Sequence, residues 1–413
     1  MRYLTKKDLS ILIGNALDNF DTSIYAFLAP ILAPAFFPTY DPVVQLILAY
    51  SVMMISIFAR PLGAFIFGVI ARKKGPVFGL SYSLIGVAIA TVYTGFLPTY
   101  ESIGWLAPLS LILVRLVRGI FAAGESTIAK MYLMEDKADS EAVKVSHLYQ
   151  SSSMLGTILA SGAATIVIAF QPEAWRLCFW LGGVTGFSGY FLRRYALTTS
   201  FKKIPFESYR MSTLKSIWHS RSNILRVAMG TGFGHLTYSI PFVFMNSFIP
   251  LITAISLETM MLLNTTLLVF DMVMIPIIGR WLIKFQATTV MVTAAIVLAI
   301  TIVPLFNYLP RSSLSYIIFV RMWIVFWGVV FLCPLNFWFK SLFNTSDQYL
   351  LVGMGTALGA STIGRVTTPL CLWLWYVSEL SVLPSLYIGF ITLATAYVIQ
   401  GTRQRQGFIK QAG

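Results

Sequence analysis

The chain has 413 residues, of which 57% are hydrophobic and only 11% charged, with a mean hydropathy of +0.76. Too few polar side chains remain to cover a water-soluble globule of that size, which excludes a soluble enzyme or binding module. The net charge of +14 does not point to nucleic acid, because the basic residues form no stripe beside base-stacking aromatics and membrane topology accounts for them.

Hydropathy divides the chain into about twelve spans of 20 to 30 residues, the length a tilted helix needs to cross a bilayer. The predicted limits are 10–37, 45–71, 77–97, 105–134, 143–170 and 174–193, then 223–253, 258–284, 287–307, 311–343, 348–377 and 380–400. The first span carries two aspartates, Asp18 and Asp21, and is too long for a removable signal peptide, with no small-residue cleavage site. The second holds Arg60 and is followed by Arg72, Lys73 and Lys74; the fourth holds Arg115, Arg118 and Glu125 and is flanked by Lys137 and Lys144. Tyr149 lies in the fifth span, His235 and Tyr238 in the seventh, Asp271 in the eighth with Arg280 and Lys284 closing it. The tenth contains Arg321, Trp323 and Trp327 and ends at Lys340; Arg365 follows in the eleventh, and Arg403, Arg405 and Lys410 form the tail.

Short loops on one side thus collect Lys and Arg, whereas the alternate loops hold Asp41, Glu101, Glu173, Glu258 and Glu379, with Arg176 and Arg311 as basic exceptions. That bias predicts both termini in the cytoplasm. A longer basic connection, 194–222, separates six spans (1–193) from six more with a short tail (223–413). An even split of this kind predicts an all-α polytopic membrane protein with two six-helix bundles around a central cavity. The basic loop is expected to touch anionic lipid head groups at the cytoplasmic face.

Charges at membrane depth are costly and occur where they pair or face water. Counted at 1.5 Å per residue from the span entrances at Ser10 and Trp105, Asp21 and Arg115 both lie roughly 15 Å deep, with Asp18 and Arg118 about one turn nearer the cytoplasm. The expectation is therefore two rungs, Asp21 with Arg115 and Asp18 with Arg118. Such a ladder serves either proton coupling or helix register. No G-x-x-x-x-G-K-[ST], H-E-x-x-H, paired C-x-x-C or G-x-S-x-G is present, so neither nucleotide hydrolysis nor an enzyme activity, cofactor or metal is expected. Cys178, Cys333 and Cys371 fall within spans and read as packing residues.

Several ordered motifs carry a resemblance. Gly14-Asn-Ala-Leu-Asp-Asn-Phe-Asp21 and Tyr25-Ala-Phe-Leu-Ala-Pro30 open the chain; Arg60-Pro-Leu-Gly63, Leu97-Pro-Thr-Tyr100, Arg115-Leu-Val-Arg118-Gly119 through Glu125, and Trp175-Arg176 through Gly182 follow. Together they resemble the metabolite:proton symporter family of the major facilitator superfamily. The resemblance implies a fold of two rocking bundles, alternating access, and proton-driven symport at a bacterial inner membrane. Its cargo would be a small polar metabolite, an organic acid or a proline- or betaine-like osmolyte, moved by a monomer. Arg118 stands where the family has glutamine. The superfamily's loop aspartates are replaced by Arg72 and, in the sister loop, by Ile283. Without them, either other contacts close the cytoplasmic side or the resting population shifts inward. A uniporter, an exchanger or a transport-inactive sensor on the same fold are the alternatives.

The resemblance implies that the first, fourth, seventh and tenth spans surround the cavity. On that footing Asp21, Arg115, Asp18 and Arg118 are the candidate proton-coupling residues. Arg321, without an acidic partner in the seventh span, is the candidate for a cargo carboxylate, or else a partner to Asp271. Tyr25, Tyr149, Tyr238, Trp323 and Trp327 are candidate cargo contacts. Arg60, Glu125, Arg72, Lys73 and Arg280 are assigned to gating or packing. Five buried cations against four buried carboxylates weakly favour an anionic or zwitterionic cargo.

Overall fold

The computed structural model describes residues 6–39, 41–134, 139–197, 213–282, 284–343 and 348–411, and all of their regular structure is helical. Twelve long helical segments result: α1 Lys6–Phe36, α2 42–74, α3 Pro76–Phe96, α4 Leu106–Met134, α5 Asp139–Phe170, α6 Trp175–Leu197, α7 221–252, α8 Leu257–Leu282, α9 Ala287–Asn307, α10 Leu314–Ser341, α11 348–378 and α12 Val382–Gln411. Among the described residues, nine of these are long and apolar enough to cross a bilayer by length and composition. The others, α1, α6 and α11, are the ones diluted by polar residues, Asp18 and Asp21 in α1 and Arg365 in α11 among them. Lys137 and residues 198–212 of the basic connection lie outside the described residues.

Local chemistry sets several boundaries. Asp41 caps α2, its carboxylate accepting the Val43 N–H at 2.8 Å and the Val44 N–H at 3.4 Å; those orphan helix-start donors, Val43 first, hold its carboxyl below the usual carboxylate range. The reversal from α2 to α3 passes through Gly75 at φ 91°, a left-handed conformation that disfavours a Cβ, and Pro76 then supplies the fixed φ of a first helical residue.

Helix pairing repeats between the two halves of the chain. In the first, α1 packs on α5, α2 on α4 and α3 on α6; in the second, α7 packs on α11, α8 on α10 and α9 on α12. Two seams join the halves, α5 against α8 and α2 against α11. Small residues allow the close approaches, since interhelical association in lipid depends on packing and not on a hydrophobic drive. A Cβ on Gly156 would run into the Ala16 carbonyl of α1, and one on Gly359 into the Ala228 carbonyl of α7.

At the end of the bundle that carries both termini, the halves meet through apolar contacts. Ala64, Ala123 and Ala357 form a buried cluster with Met354 against it, Gly68 faces Leu350, and Gly279 faces His147. None of these contacts uses a loop carboxylate. Lys73 and Arg280 are exposed at the same end; the side chain of Arg72 lies outside the described residues.

Candidate functional site

Two helices change pitch beside the centre of the molecule. Residues Ile240–Phe244 of α7 and Ala360–Gly364 of α11 form single π-helical turns, a widening that recurs near functional sites. Pro369 lacks the N–H that would bond the Arg365 carbonyl, and Pro250 likewise leaves the Asn246 carbonyl without that bond, so both ladders are interrupted just beyond the widened turns. Ser239 and Thr368 bond each other across the gap at 2.8 Å. Arg365 emerges directly after the α11 turn.

Between the two halves lies a cavity of about 210 Å³, smaller than the roughly 300–1,000 Å³ of drug-sized ligand sites and suited to a small metabolite. Its wall comes from α1, α2, α4, α5, α7, α10 and α11. Among the described lining residues the charged side chains are Asp18, Arg60, Lys130 and Arg365, joined by the imidazole of His235, and neutral donors such as Asn15, Asn19 and Ser153 stand between them. Asn15 ties α1 to α5, its amide reaching Tyr149 O at 3.0 Å, Ser152 Oγ at 2.8 Å and Ser153 Oγ at 2.7 Å.

The ionic ladder is present but displaced by one turn. α1 and α4 are neighbours, as expected. Asp21, however, pairs with Arg118 through both Nε and Nη2, and its other oxygen accepts from Thr91 Oγ1 at 2.5 Å. The same Arg118 Nη2 stands 3.9 Å from Asp18 and donates to Thr22 Oγ1 at 2.9 Å. Arg115 lies over the Tyr25 ring at 3.9 Å and near Phe179 at 5.5 Å, with no hydrogen-bond acceptor for Nε or Nη2 among the described residues. The expected Asp21–Arg115 rung is thus replaced by a cation–π contact. An arginine side chain reaches further than one 5.4 Å turn, so equal Cα depth does not select its partner.

Placement of the other candidates follows from where the cavity sits, in the terminus-bearing half. Tyr149, Tyr238 and Arg60 line it, so Arg60 belongs to the wall as well as to the region expected for gating. Arg321, Trp323 and Trp327 are not on the wall, because α10 contributes its other end, including Leu335, Asn336 and Phe339. Trp323 donates to Thr301 Oγ1 at 2.9 Å and packs on Trp327. Tyr25 is fully buried and donates to Ala49 O at 2.9 Å. The side chain of Glu125 lies outside the described residues. Lys130, His235 and Arg365 line the cavity without being among the candidate site residues: His235 reads from the sequence first as a packing residue and only second as a proton relay or cargo contact, Arg365 enters only the count of buried cations, and for Lys130 the available signal was a third cation twelve residues beyond Arg118 in one apolar span.

Arg321 has a different neighbour from the one expected. It is fully buried and donates to Asn264 Oδ1 at 2.5 Å, two turns from Asp271 on α8; Asn264 Nδ2 in turn donates to Ser161 Oγ of α5 at 3.2 Å, and Ser161 bonds Thr265 at 2.8 Å. This chain crosses the α5–α8 seam on the side of the cavity away from the termini. Asn264→Leu keeps volume but removes both bonds and leaves the guanidinium buried without that acceptor. The expected result is a cavity more open from that side: a cysteine at Thr157 should label at least about threefold faster in Asn264→Leu than with Asn264 intact, given the 0.5–1.5 kcal/mol usual for one net hydrogen bond. Unchanged labelling would make the Arg321 chain a packing feature only.

Comparison with known proteins agrees with this architecture. Residues 9–194 match the family described as sugar (and other) transporter. The chain is 33% identical over 196 residues to the glycine betaine/proline/ectoine/pipecolic acid transporter of Dickeya dadantii, covering 46% of this chain and 39% of the relative. Against a putative proline/betaine transporter of Staphylococcus haemolyticus it is 26% identical over 96% of this chain and 88% of that one. The chain thus spans less than half the length of the Dickeya dadantii relative, and most of the length of the Staphylococcus haemolyticus one. A crystal structure of a D-xylose–proton symporter superposes with a TM-score of 0.76 at 13% identity, covering 95% of this chain and 96% of that one. Residues 9–194 are thus similar to the sugar (and other) transporter family, the chain is similar in sequence to proline/betaine transporters, and its twelve-helix fold is that of the solved D-xylose–proton symporter.

Proposed function

We propose that the chain is a secondary active transporter of a small anionic or zwitterionic metabolite, driving uptake with protons by alternating access. The observation that carries this reading is the cavity between the halves with Asp18 on its wall and Asp18, Arg118 and Asp21 in one cluster beside it. Segments 1–193 and 223–413 would rock about the α5–α8 and α2–α11 seams, joined by the basic 194–222 connection. The positive-inside bias assigns the terminus-bearing end to the cytoplasm of a bacterial inner membrane. Exposed Lys73 and Arg280 there would meet anionic lipid.

Coupling follows from charge. An ionised Asp18 on the wall repels an anion in the cavity; two like charges 4 Å apart cost about 4 kcal/mol at an effective dielectric of 20. A proton on Asp18 removes that repulsion and relaxes its hold on Arg118, so proton and anion favour the same loaded state. Asp21 is off the wall and gripped by Arg118 and Thr91, which suits it to holding the arginine in place.

In proteoliposomes with an imposed pH gradient, the wild-type chain should accumulate cargo and Asp18→Asn should not, while exchange of labelled for unlabelled cargo persists in the variant. Accumulation unchanged in Asp18→Asn would assign coupling elsewhere. A uniporter or exchanger is the second reading, supported by the engagement of Asp21 away from the cavity; equal flux with and without the gradient would establish it.

A further inference from the structure

The cavity wall is strongly biased in sign. Among the described lining residues Arg60, Lys130 and Arg365 face one carboxylate, Asp18, which already stands beside Arg118. Both ion pairs within 4.0 Å among the described residues are made by Arg118, so among those residues none of the three wall cations has a carboxylate within that distance, and Asp18 acts on Arg60 and Arg365 only at longer range. Arg60 is only 5% exposed, and its Nε has no hydrogen-bond partner. Lys130 is 9% exposed, with Thr356 Oγ1 at 3.4 Å and the Phe339 ring centroid at 5.8 Å as its contacts. Arg365 is half-buried and within electrostatic range of Arg60, Arg115, Arg118 and Asp18. His235 lies in range of all three cations. Asp271 is behind Tyr238 and does not reach the wall.

Buried cations without partners are costly, and a protein retains them where something else supplies the negative charge. Counting His235 as neutral, the described lining residues carry three cations and one carboxylate, which leaves two positive charges for the contents of the cavity. A zwitterion offers one carboxylate, and its cationic end would find Asp18 already beside Arg118 and the Phe339 ring already approached by Lys130. We infer that the cavity is built for an anion carrying two or more negative charges, a small dicarboxylate or a phosphomonoester, held by Arg60, Lys130 and Arg365 and preferred over proline- or betaine-like zwitterions. The two guanidinium groups suit either oxyanion, since carboxylate and phosphate both accept the forked donor pair.

This inference rests on the transport reading for its cargo but not for its binding test, which separates the two. Purified full-length protein in detergent is titrated with succinate, glycerol 3-phosphate, proline and glycine betaine, following thermal unfolding, and the same four probes are used in counterflow from preloaded proteoliposomes. Succinate or glycerol 3-phosphate should raise the unfolding temperature at concentrations where proline and betaine do not, and whichever raises it more identifies carboxylate or phosphate as the preferred oxyanion. Arg365→Gln and Arg60→Gln, checked for a wild-type unfolding temperature without ligand, should each weaken that dianion about tenfold or more, with Arg365→Lys intermediate. Stabilisation by proline or betaine and not by either dianion would overturn the inference, as would dianion affinity unchanged in both glutamine variants. Dianion binding without counterflow would uphold it while removing the transport reading.

Discussion

Replacing Arg118 by glutamine should destabilise the protein more than any other single change in the cavity region, even though glutamine is the residue the resembled family carries there. Arg118 is 3% exposed and holds Asp21 through two nitrogens while standing 3.9 Å from Asp18. Both carboxylates are themselves buried, at 3% and 6% exposure. Removing one member of a buried ion pair leaves an uncompensated charge, at a cost of about 3–5 kcal/mol, whereas removing both charges together is often nearly neutral. Arg118→Gln should therefore lower the unfolding temperature in detergent and the yield of monodisperse protein, and Arg118→Gln with Asp21→Asn should recover most of the loss. The non-additivity is the diagnostic, because a role limited to packing would make the double variant at least as unstable as the single one. If Arg118→Gln unfolds at the wild-type temperature, the cluster is solvated and the coupling scheme loses its dry, low-dielectric setting.

How much of this was legible in the sequence depends on which physical rule applied. The helices were, because a bilayer leaves the backbone no alternative to internal hydrogen bonding: expected spans of 10–37, 223–253 and 348–377 correspond to helices over Lys6–Phe36, 221–252 and 348–378. The meeting of α1 with α4 was legible too, through opposite charges at matching depth. Which arginine met which aspartate was not, because depth along an axis is known only to about a turn and Arg115 had an aromatic face available in Tyr25. The cavity's position along the membrane normal was also invisible. Arg321 and Trp323 have every compositional mark of a binding group, yet they belong to the far half, where Asn264 accepts from one nitrogen of Arg321 and Thr301 accepts from Trp323. Lys130, His235 and Arg365 sat in spans whose hydropathy absorbed them, and only the facing of α4, α7 and α11 across the cavity gives them a common purpose.

A single methyl group at Gly156 should disrupt the fold where the same change six residues further along α5 does not. The Cβ of an alanine at 156 would fall on the carbonyl of Ala16 and close to the backbone nitrogen of Phe20, so the obstacle is the α1 main chain and not a side chain able to turn aside. Relief requires α1 and α5 to separate. That separation would break the Asn15 contacts to Tyr149, Ser152 and Ser153 and open the wall on which Asp18 and Asn19 stand. Overpacking of this kind costs roughly 1–3 kcal/mol before the hydrogen bonds are counted, and each net hydrogen bond adds about 0.5–1.5 kcal/mol. Gly162 is the control: no atom beyond its own stretch of helix lies within 4 Å of a Cβ placed there, and alanine in a helix interior is favoured over glycine by about 0.5–1 kcal/mol. Gly156→Ala should therefore express poorly or unfold several degrees below wild type, with Gly162→Ala equal to wild type or above it. Equal behaviour of the two would mean that α1 and α5 do not approach backbone to backbone, and the cavity wall they build would have to be placed elsewhere. Because Asp18 projects into the cavity from the same face of α1 that carries Asn15, weakened binding of the cargo in Gly156→Ala at temperatures where it remains folded would link this helix contact directly to the site.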